Sequence, residues 1–244
     1  MSEALANSLA DDYDQGEFQD FGPGGALKSA VLIRHDQMTL VSPDRVEVHG
    51  LCHDAQMAIP STRGLTVWLT GLPGSGKTTS ALALHAELER TGRFVALLDG
   101  DELRHGISSD LGFSNDDRDE SVRRAGEIAL LLTQQGAIAI VSLVSPRRHA
   151  RDEVRRHHLE AGQSFFEVHV AAALEICEQR DPKALYRRSR SGSLSHMTGV
   201  DDPYEPPLRP DLVLATDQLS LDESIELLAR SVLDRLQEMD RSTG

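Results

Sequence analysis

Lysine is the scarcest of the common charged residues in this 244-residue chain. Only Lys28, Lys77 and Lys183 are present, so 22 of the 25 basic side chains are arginines, several of them clustered. Arginine forks suit anionic ligands, and an anion-binding protein is the first expectation. Cysteine is almost as rare. Cys52 and Cys177 form no CxxC or Cys/His spacing, which argues against both a disulfide scaffold and a zinc site. No apolar run approaches the ~18 residues of a membrane span. Positive charge is missing from the first twenty residues, where a signal or transit peptide would carry it. With 39 acidic side chains the net charge is −14, the wrong sign for a general nucleic-acid binder. These absences lead to the expectation of a cytoplasmic protein with neither membrane nor nucleic-acid partners.

Composition divides the chain into three parts. Residues 1–27 hold six acids, no base and the run Gly22-Pro23-Gly24-Gly25, and are expected to be a disordered acidic tail. Residues 28–60 form a short N-terminal appendage, with strands expected at Val31–Ile33 and Val46–Val48 and a turn at Ser42-Pro43-Asp44-Arg45. From 61 to 240 the pattern becomes regular. Buried strands are expected at Leu65–Leu69, Phe94–Leu98, Ala137–Val144, Phe165–Val170 and Asp211–Ala215. Helical spacing joins Ala81, Leu84 and Leu88, then Val122, Ala125, Ala129 and Leu132 in a helix from about Asp119. Ser220-Leu-Asp-Glu223 reads as a capping box opening a final helix. Apolar strands alternating with amphipathic helices define an α/β fold: a parallel sheet of about five strands with helices on both faces. Ligands of such sheets bind beyond the carboxyl ends of the strands.

The chemistry-bearing segments follow the strands. After the first comes Gly71-Leu-Pro-Gly74-Ser75-Gly76-Lys77-Thr78, the GxxxxGK[ST] phosphate-binding loop. Its glycines let backbone N–H groups face phosphate oxygens, and the following helix N-terminus adds partial positive charge. Lys77 is expected to bridge the β- and γ-phosphates of a triphosphate, and Thr78 to hold Mg²⁺. After the second strand, taken as the neighbour of the first, stand Asp99 and Asp101. Two carboxylates one residue apart point in different directions, one toward a metal shell and one toward an attacking hydroxyl. The competing reading is a polar turn in which Asp caps a helix. Arg118, Arg123 and Arg124 read equally well as a solvated face. At the third strand end Ser145 and Arg148 are placed for a ligand, while Arg151, Arg155, Arg156, His157 and His158 read as a plain solvated helix face. The basic stretch from Arg180 to Arg190, continuing through His196 to Pro207, has the make-up of a mobile lid over anionic substrates.

Together these segments resemble the adenylylsulfate kinase family over roughly residues 62–218. The resemblance is carried by GLTVWLTGLPGSGKTT, LDGDELRHGISSDLGFS, the DR-x-E run with its paired arginines, SP at the third strand end, RDPKALY, TGVDDPYEPP and DLVLATD. It implies an ATP-dependent phosphorylation of the 3′-hydroxyl of adenosine 5′-phosphosulfate (APS), Mg²⁺ as the metal, and a homodimer. Carried over residue by residue, it gives Gly71, Gly74, Ser75, Gly76, Lys77, Thr78, Thr79, Arg180 and Thr216 to ATP. Lys77, Asp99 and Asp101 become catalytic, with Thr78 on the metal and Asp99 reaching it through water. Asp101, Arg104, Phe113, Arg118, Ser121, Ser145 and Met197 go to the acceptor, Arg104 and Arg118 clamping the phosphosulfate and Phe113 packing on the adenylyl group. Four positions depart from the family pattern: Glu102 and Ser121 stand where Asn is usual, Met197 where an aromatic is common, and Arg147 where Tyr belongs in SPYR. They point to an alternative, a relative with a different nucleotide-linked or anionic acceptor. A non-catalytic nucleotide-binding module is the third reading.

Overall fold

The structure, a computed structural model, describes residues 63–241 in full and, ahead of them, the backbone pairing of β1 (Ala30–Arg34), β2 (Gln37–Ser42) and β3 (Arg45–Glu47). The tail expected at 1–27 lies outside the described residues. Contacts divide the chain into two units, Met1–Ala58 and Ile59–Gly244. In the first, β1, β2 and β3 form an antiparallel meander, pairing Ala30 with Val41 and Ser42 with Arg45. The strand Gln37–Ser42 was not foreseen, although Gln37-Met38-Thr39-Leu40 alternates polar with apolar residues.

The second unit contains β4 (Leu65–Thr70), α1 (Lys77–Glu89), β5 (Val95–Asp99), α2 (Gly100–His105), α3 (Asn115–Gln134), β6 (Ile138–Ser142), α4 (Arg148–Glu160), β7 (Ser164–Ala171), α5 (Leu174–Arg180), α6 (Leu185–Arg190), β8 (Leu212–Ala215) and α7 (Leu221–Arg241). The five strands are all parallel, in the order β5-β6-β4-β7-β8. This corrects one expectation: the strand ending at Asp99 is not the neighbour of the loop-bearing strand, because β6 lies between them. Helix α3 also begins earlier than its apolar spacing indicated, since the Ser114 hydroxyl caps it by accepting from the Asp117 amide.

Side-chain alternation along the strands builds two cores. Leu65, Val67, Leu69, Ile138, Ile140, Phe166, Val168 and Val170 point to one face, where α1 supplies Leu84 and Leu88 and α7 supplies Leu228, Val232 and Leu236. Trp68, Ala139, Val141 and Phe165 point to the other, against Val122, Ala125 and Ala129 of α3 and Val154 of α4. Both faces are covered, as a parallel sheet requires. The capping box forms as read: the Glu223 amide donates to the Ser220 hydroxyl (3.3 Å) and the Ser220 amide donates to the Glu223 carboxylate (2.9 Å).

Helix α4 departs from its expected solvated face. Arg156 and His157 are exposed, but Arg151 is 1% and His158 also 1% exposed. The helix meets the sheet at two polar positions, Glu167 and Thr66, so two of its inward residues, Arg151 and His158, are polar beside the apolar Ala150 and Val154. Arg151 donates to Glu167 (2.9 Å), to the Ser145 carbonyl (2.6 Å) and to the Glu205 carbonyl (2.7 Å). His158 donates from Nδ1 to the Val154 carbonyl (2.9 Å) and accepts from Thr66 at Nε2 (3.0 Å), the tautomer those partners require. Burial lowers its pKa and keeps the ring neutral.

Removing one partner of a buried ion pair strands the other charge, at a cost of about 3–5 kcal/mol. Arg151→Met is therefore expected to lower the urea midpoint strongly, whereas Arg156→Met, at an exposed i,i+4 pair, leaves it unchanged within error. Equal small shifts in both variants would show that the buried pair does not hold the fold.

Candidate active site

Beyond the carboxyl ends of the strands lies a cavity of about 690 Å³. Its floor is the loop between β4 and α1. A Cβ on Gly71 would stand 2.4 Å from the Val170 carbonyl, so the chain passes there only as glycine. Gly76 takes φ +99° as the residue that opens α1. Lys77 folds back over the loop and donates to the carbonyls of Gly71 (3.0 Å) and Leu72 (2.8 Å). Burial pushes its pKa down to about 8, with Cys177, Asp99 and Asp101 partly opposing the shift.

Thr78 donates to Asp99 Oδ2 at 2.9 Å, joining the first turn of α1 to the end of β5. The other oxygen of Asp99 accepts from the Asp101 amide (2.9 Å) and caps α2. The helix-cap reading of this residue holds, and its second oxygen faces the first turn of α1 beside the phosphate loop. Asp101 points elsewhere, its Oδ2 accepting from Lys183. The divergence expected of two carboxylates one residue apart is what the structure shows.

On the nucleotide side, Thr216 donates to the Ser75 carbonyl (2.6 Å) and Arg180 donates to the Thr216 carbonyl (2.7 Å). Gly74, Gly76, Lys77, Thr78, Thr79, Arg180 and Thr216 all line the cavity, while Gly71 and Ser75 are not part of its lining. The opposite wall carries Arg104 and Arg118, whose guanidinium carbons lie 4.3 and 5.6 Å from the centre of the Phe113 ring. Backbone carbonyls hold both: Gly112 accepts from Arg104 (2.8 Å), and Phe113 (3.1 Å) and His196 (2.5 Å) accept from Arg118. Among the described residues neither arginine is paired with a carboxylate. Burial, then repulsion from Arg104, lowers the pKa of Arg118. Two close cations over an exposed aromatic ring form a site for a planar, anionic ligand.

Ser121 and Met197 complete that wall and are buried; the Ser121 hydroxyl has no partner among the described residues. Ser145 lines the cavity with φ +38°, but its hydroxyl accepts from Trp68 (3.2 Å) and donates to Thr70 (2.9 Å). It shapes the turn, and its hydroxyl is not offered to a ligand. Of the four departures from the family pattern, Ser121 and Met197 face the cavity. Glu102 is exposed on α2, and Arg147 pairs with Asp119 at 3.0 Å outside the cavity wall. The sequence reading missed Ser142, whose buried hydroxyl also lacks a partner among the described residues, and Tyr186, which donates to the Pro73 carbonyl at 2.9 Å. Register could have found the first, since Ser142 pairs with Asp99 across the sheet.

A glycine loop with its lysine, an acid pair at a second strand end and an anion wall opposite them define a P-loop phosphotransferase. The family model described as Adenylylsulphate kinase matches residues 63–215. An adenylyl-sulfate kinase of Synechococcus sp. is 49% identical over 175 residues, 72% of this chain and 98% of that protein. One from Bacillus pumilus is 49% identical over 69% of this chain and 85% of its own length. Among solved structures, the Mycobacterium tuberculosis APS kinase CysC in complex with AMPPNP and APS is similar at 44% identity and TM-score 0.67, covering 70% of this chain and 98% of that one. The chain belongs to the adenylylsulfate kinase family and is an ATP-dependent kinase of sulfate activation. Among the described residues no helix is long and apolar enough to cross a membrane.

The lowered pKa of Lys77 gives a linkage test. A triphosphate favours the ammonium and raises that pKa, so above pH 8 the empty site has lost a proton that the filled site holds. Nucleotide binding at pH 8.5 is expected to take up a proton, read by calorimetry in buffers of different ionisation enthalpy, and affinity falls as pH rises through 8. The uptake disappears in Lys77→Arg, whose guanidinium keeps its proton throughout. Identical uptake in that variant would assign the linkage to another group.

Proposed function

We propose that the protein transfers the γ-phosphoryl of MgATP to the 3′-hydroxyl of APS, giving 3′-phosphoadenosine 5′-phosphosulfate and ADP. One observation carries this reading: Lys77, the Asp99–Asp101 pair and two guanidiniums stacked on Phe113, without carboxylate partners among the described residues, line a single cavity. The solved M. tuberculosis relative is in complex with both AMPPNP and APS.

In this mechanism the loop amides and Lys77 hold the triphosphate, with Arg180 and Thr216 on its nucleotide side. Arg104 and Arg118 grip the phosphosulfate, while Phe113, Ser121 and Met197 shelter the adenylyl group. The fixed geometry removes the entropy of bringing two anions together, a large share of what phosphoryl transfer requires. Asp101 orients the 3′-hydroxyl and takes its proton. The Thr78 hydroxyl and Asp99 carboxylate, 2.9 Å apart, are hard oxygen donors of the kind that suit Mg²⁺ and would hold it. A metal held there would supply charge neutralisation for the phosphates. The segment from Arg180 to Pro207 closes over both ligands.

A second reading, a different nucleotide-linked acceptor, rests on Ser121 and Met197, the two departures that face the cavity. The resemblance also implies a homodimer, and a relative from Thiobacillus denitrificans is hexameric; sedimentation of the full chain, with twice the monomer mass expected, distinguishes the two.

A coupled assay with ATP and APS is expected to show turnover, and Asp101→Asn to lower kcat by about 10²–10⁴-fold, as loss of a general base does. Turnover with another nucleotide-linked hydroxyl and none with APS would install the second reading.

A further inference from the structure

We propose that Ser142 is a positioning residue for the metal: its hydroxyl, beside Asp99 on the sheet face that α1 covers, anchors a water of the Mg²⁺ shell. The proposal rests on the metal assignment made above, and adds to it an oxygen from the strand between β4 and β5.

The placement follows from the sheet. β6 runs between β4 and β5, and Ser142 pairs with Leu69 on one side and with Asp99 on the other. Strand side chains alternate, so Ser142 shares a face with Ile138 and Ile140, and Asp99 shares one with Val95 and Leu97. Leu69, Ile138, Ile140, Val95 and Leu97 all belong to the core that α1 covers with Ala81 and Leu84. Leu69, Ser142 and Asp99 therefore form the last row of that face, on strands ~4.8 Å apart. Thr78, three residues before Ala81 on α1, meets the row by donating to Asp99 at 2.9 Å. Ser142 is thus set beside the Thr78–Asp99 pair, and all three residues line the cavity.

The state of its hydroxyl points to a ligand. Ser142 is 3% exposed, and its oxygen has no hydrogen-bond partner among the described residues. A buried hydroxyl left so is destabilising, and alanine would fill the row without that cost. Hydroxyls nearby are satisfied inside the chain: Thr70 donates to the Val144 carbonyl (2.8 Å), and Ser145 accepts from Trp68 (3.2 Å). Mg²⁺ matches the group that is left over. This ion keeps several waters when protein oxygens hold it, and its charge makes those waters strong donors in need of acceptors. The two oxygens of Asp99 already accept from Thr78 and from the Asp101 amide. Ser142 adds a neutral acceptor from the neighbouring strand, with no further negative charge beside the phosphates. Outer partners of this kind change metal affinity by about 10–100-fold.

The test measures AMPPNP binding to the full-length wild type, Ser142→Ala and Ser142→Cys by calorimetry, once with EDTA and once with excess magnesium. Cysteine nearly keeps the side-chain volume but is a weak acceptor, so it separates the hydroxyl from the space it fills. With EDTA all three proteins are expected to bind alike. Magnesium is expected to tighten binding to the wild type, and to do so by about 10-fold less in either variant. The ligand-free thermal midpoint of Ser142→Ala is expected not to fall, because the hydroxyl removed has no partner to lose. Equal gains from magnesium in all three proteins would overturn the proposal. So would equal losses with EDTA and with magnesium together with a lower midpoint, which mark a structural role. A wild type that gains from magnesium but does not turn over APS would remove the acceptor assignment, and the comparison of gains would still decide the role of Ser142.

Discussion

The hydrogen bond from Thr78 to Asp99 is the contact on which the site depends. It joins the helix that follows β4 to the end of β5, two strands separated by β6 and therefore ~10 Å apart. No sheet pairing links those strand ends directly. The side chain of the first helical turn reaches across instead, and that reach brings the acid pair to the phosphate loop. Asp99 in turn fixes α2 through the Asp101 amide, so one carboxylate sets the height of the loop, the start of α2 and the direction of Asp101.

Charge is distributed along the same lines. The floor of the cavity holds one buried lysine, Lys77, whose pKa burial lowers. Across the same lining Arg104 and Arg118 donate only to carbonyls, and among the described residues neither is paired with a carboxylate. A protein of net charge −14 thereby gathers basic side chains around one cavity.

Much of this was legible in the residues. Apolar runs located all five parallel strands: the central β4 and β6 are buried throughout, and the others keep enough apolar residues to stand out, while the Ser220–Glu223 box marked the last helix through a local hydrogen-bond pattern. The phosphate loop and the acid pair stood out because their residue types recur at a fixed short spacing after a strand, and the structure brings them to one cavity. Strand order was not legible, since βαβ units of similar length can be wound in more than one order. Arg151 and His158 were read as solvated because helical spacing reveals which residues share a face, not what that face meets; Glu167 and Thr66 on the sheet decided the matter. Ser145 stood at the right strand end, but its hydroxyl had nearer partners in Trp68 and Thr70. Long-range polar pairing decided what Arg151, His158 and the Ser145 hydroxyl contact.

The most direct measurement of the central claim is a crystal structure of the full chain with magnesium, a non-hydrolysable ATP analogue and APS. The γ-phosphorus is predicted to lie between Lys77 Nζ and the APS 3′-oxygen, with that oxygen on Asp101 and the phosphosulfate on Arg104 and Arg118. A triphosphate seated elsewhere, or an APS molecule whose 3′-oxygen faces away from Asp101, would contradict the account.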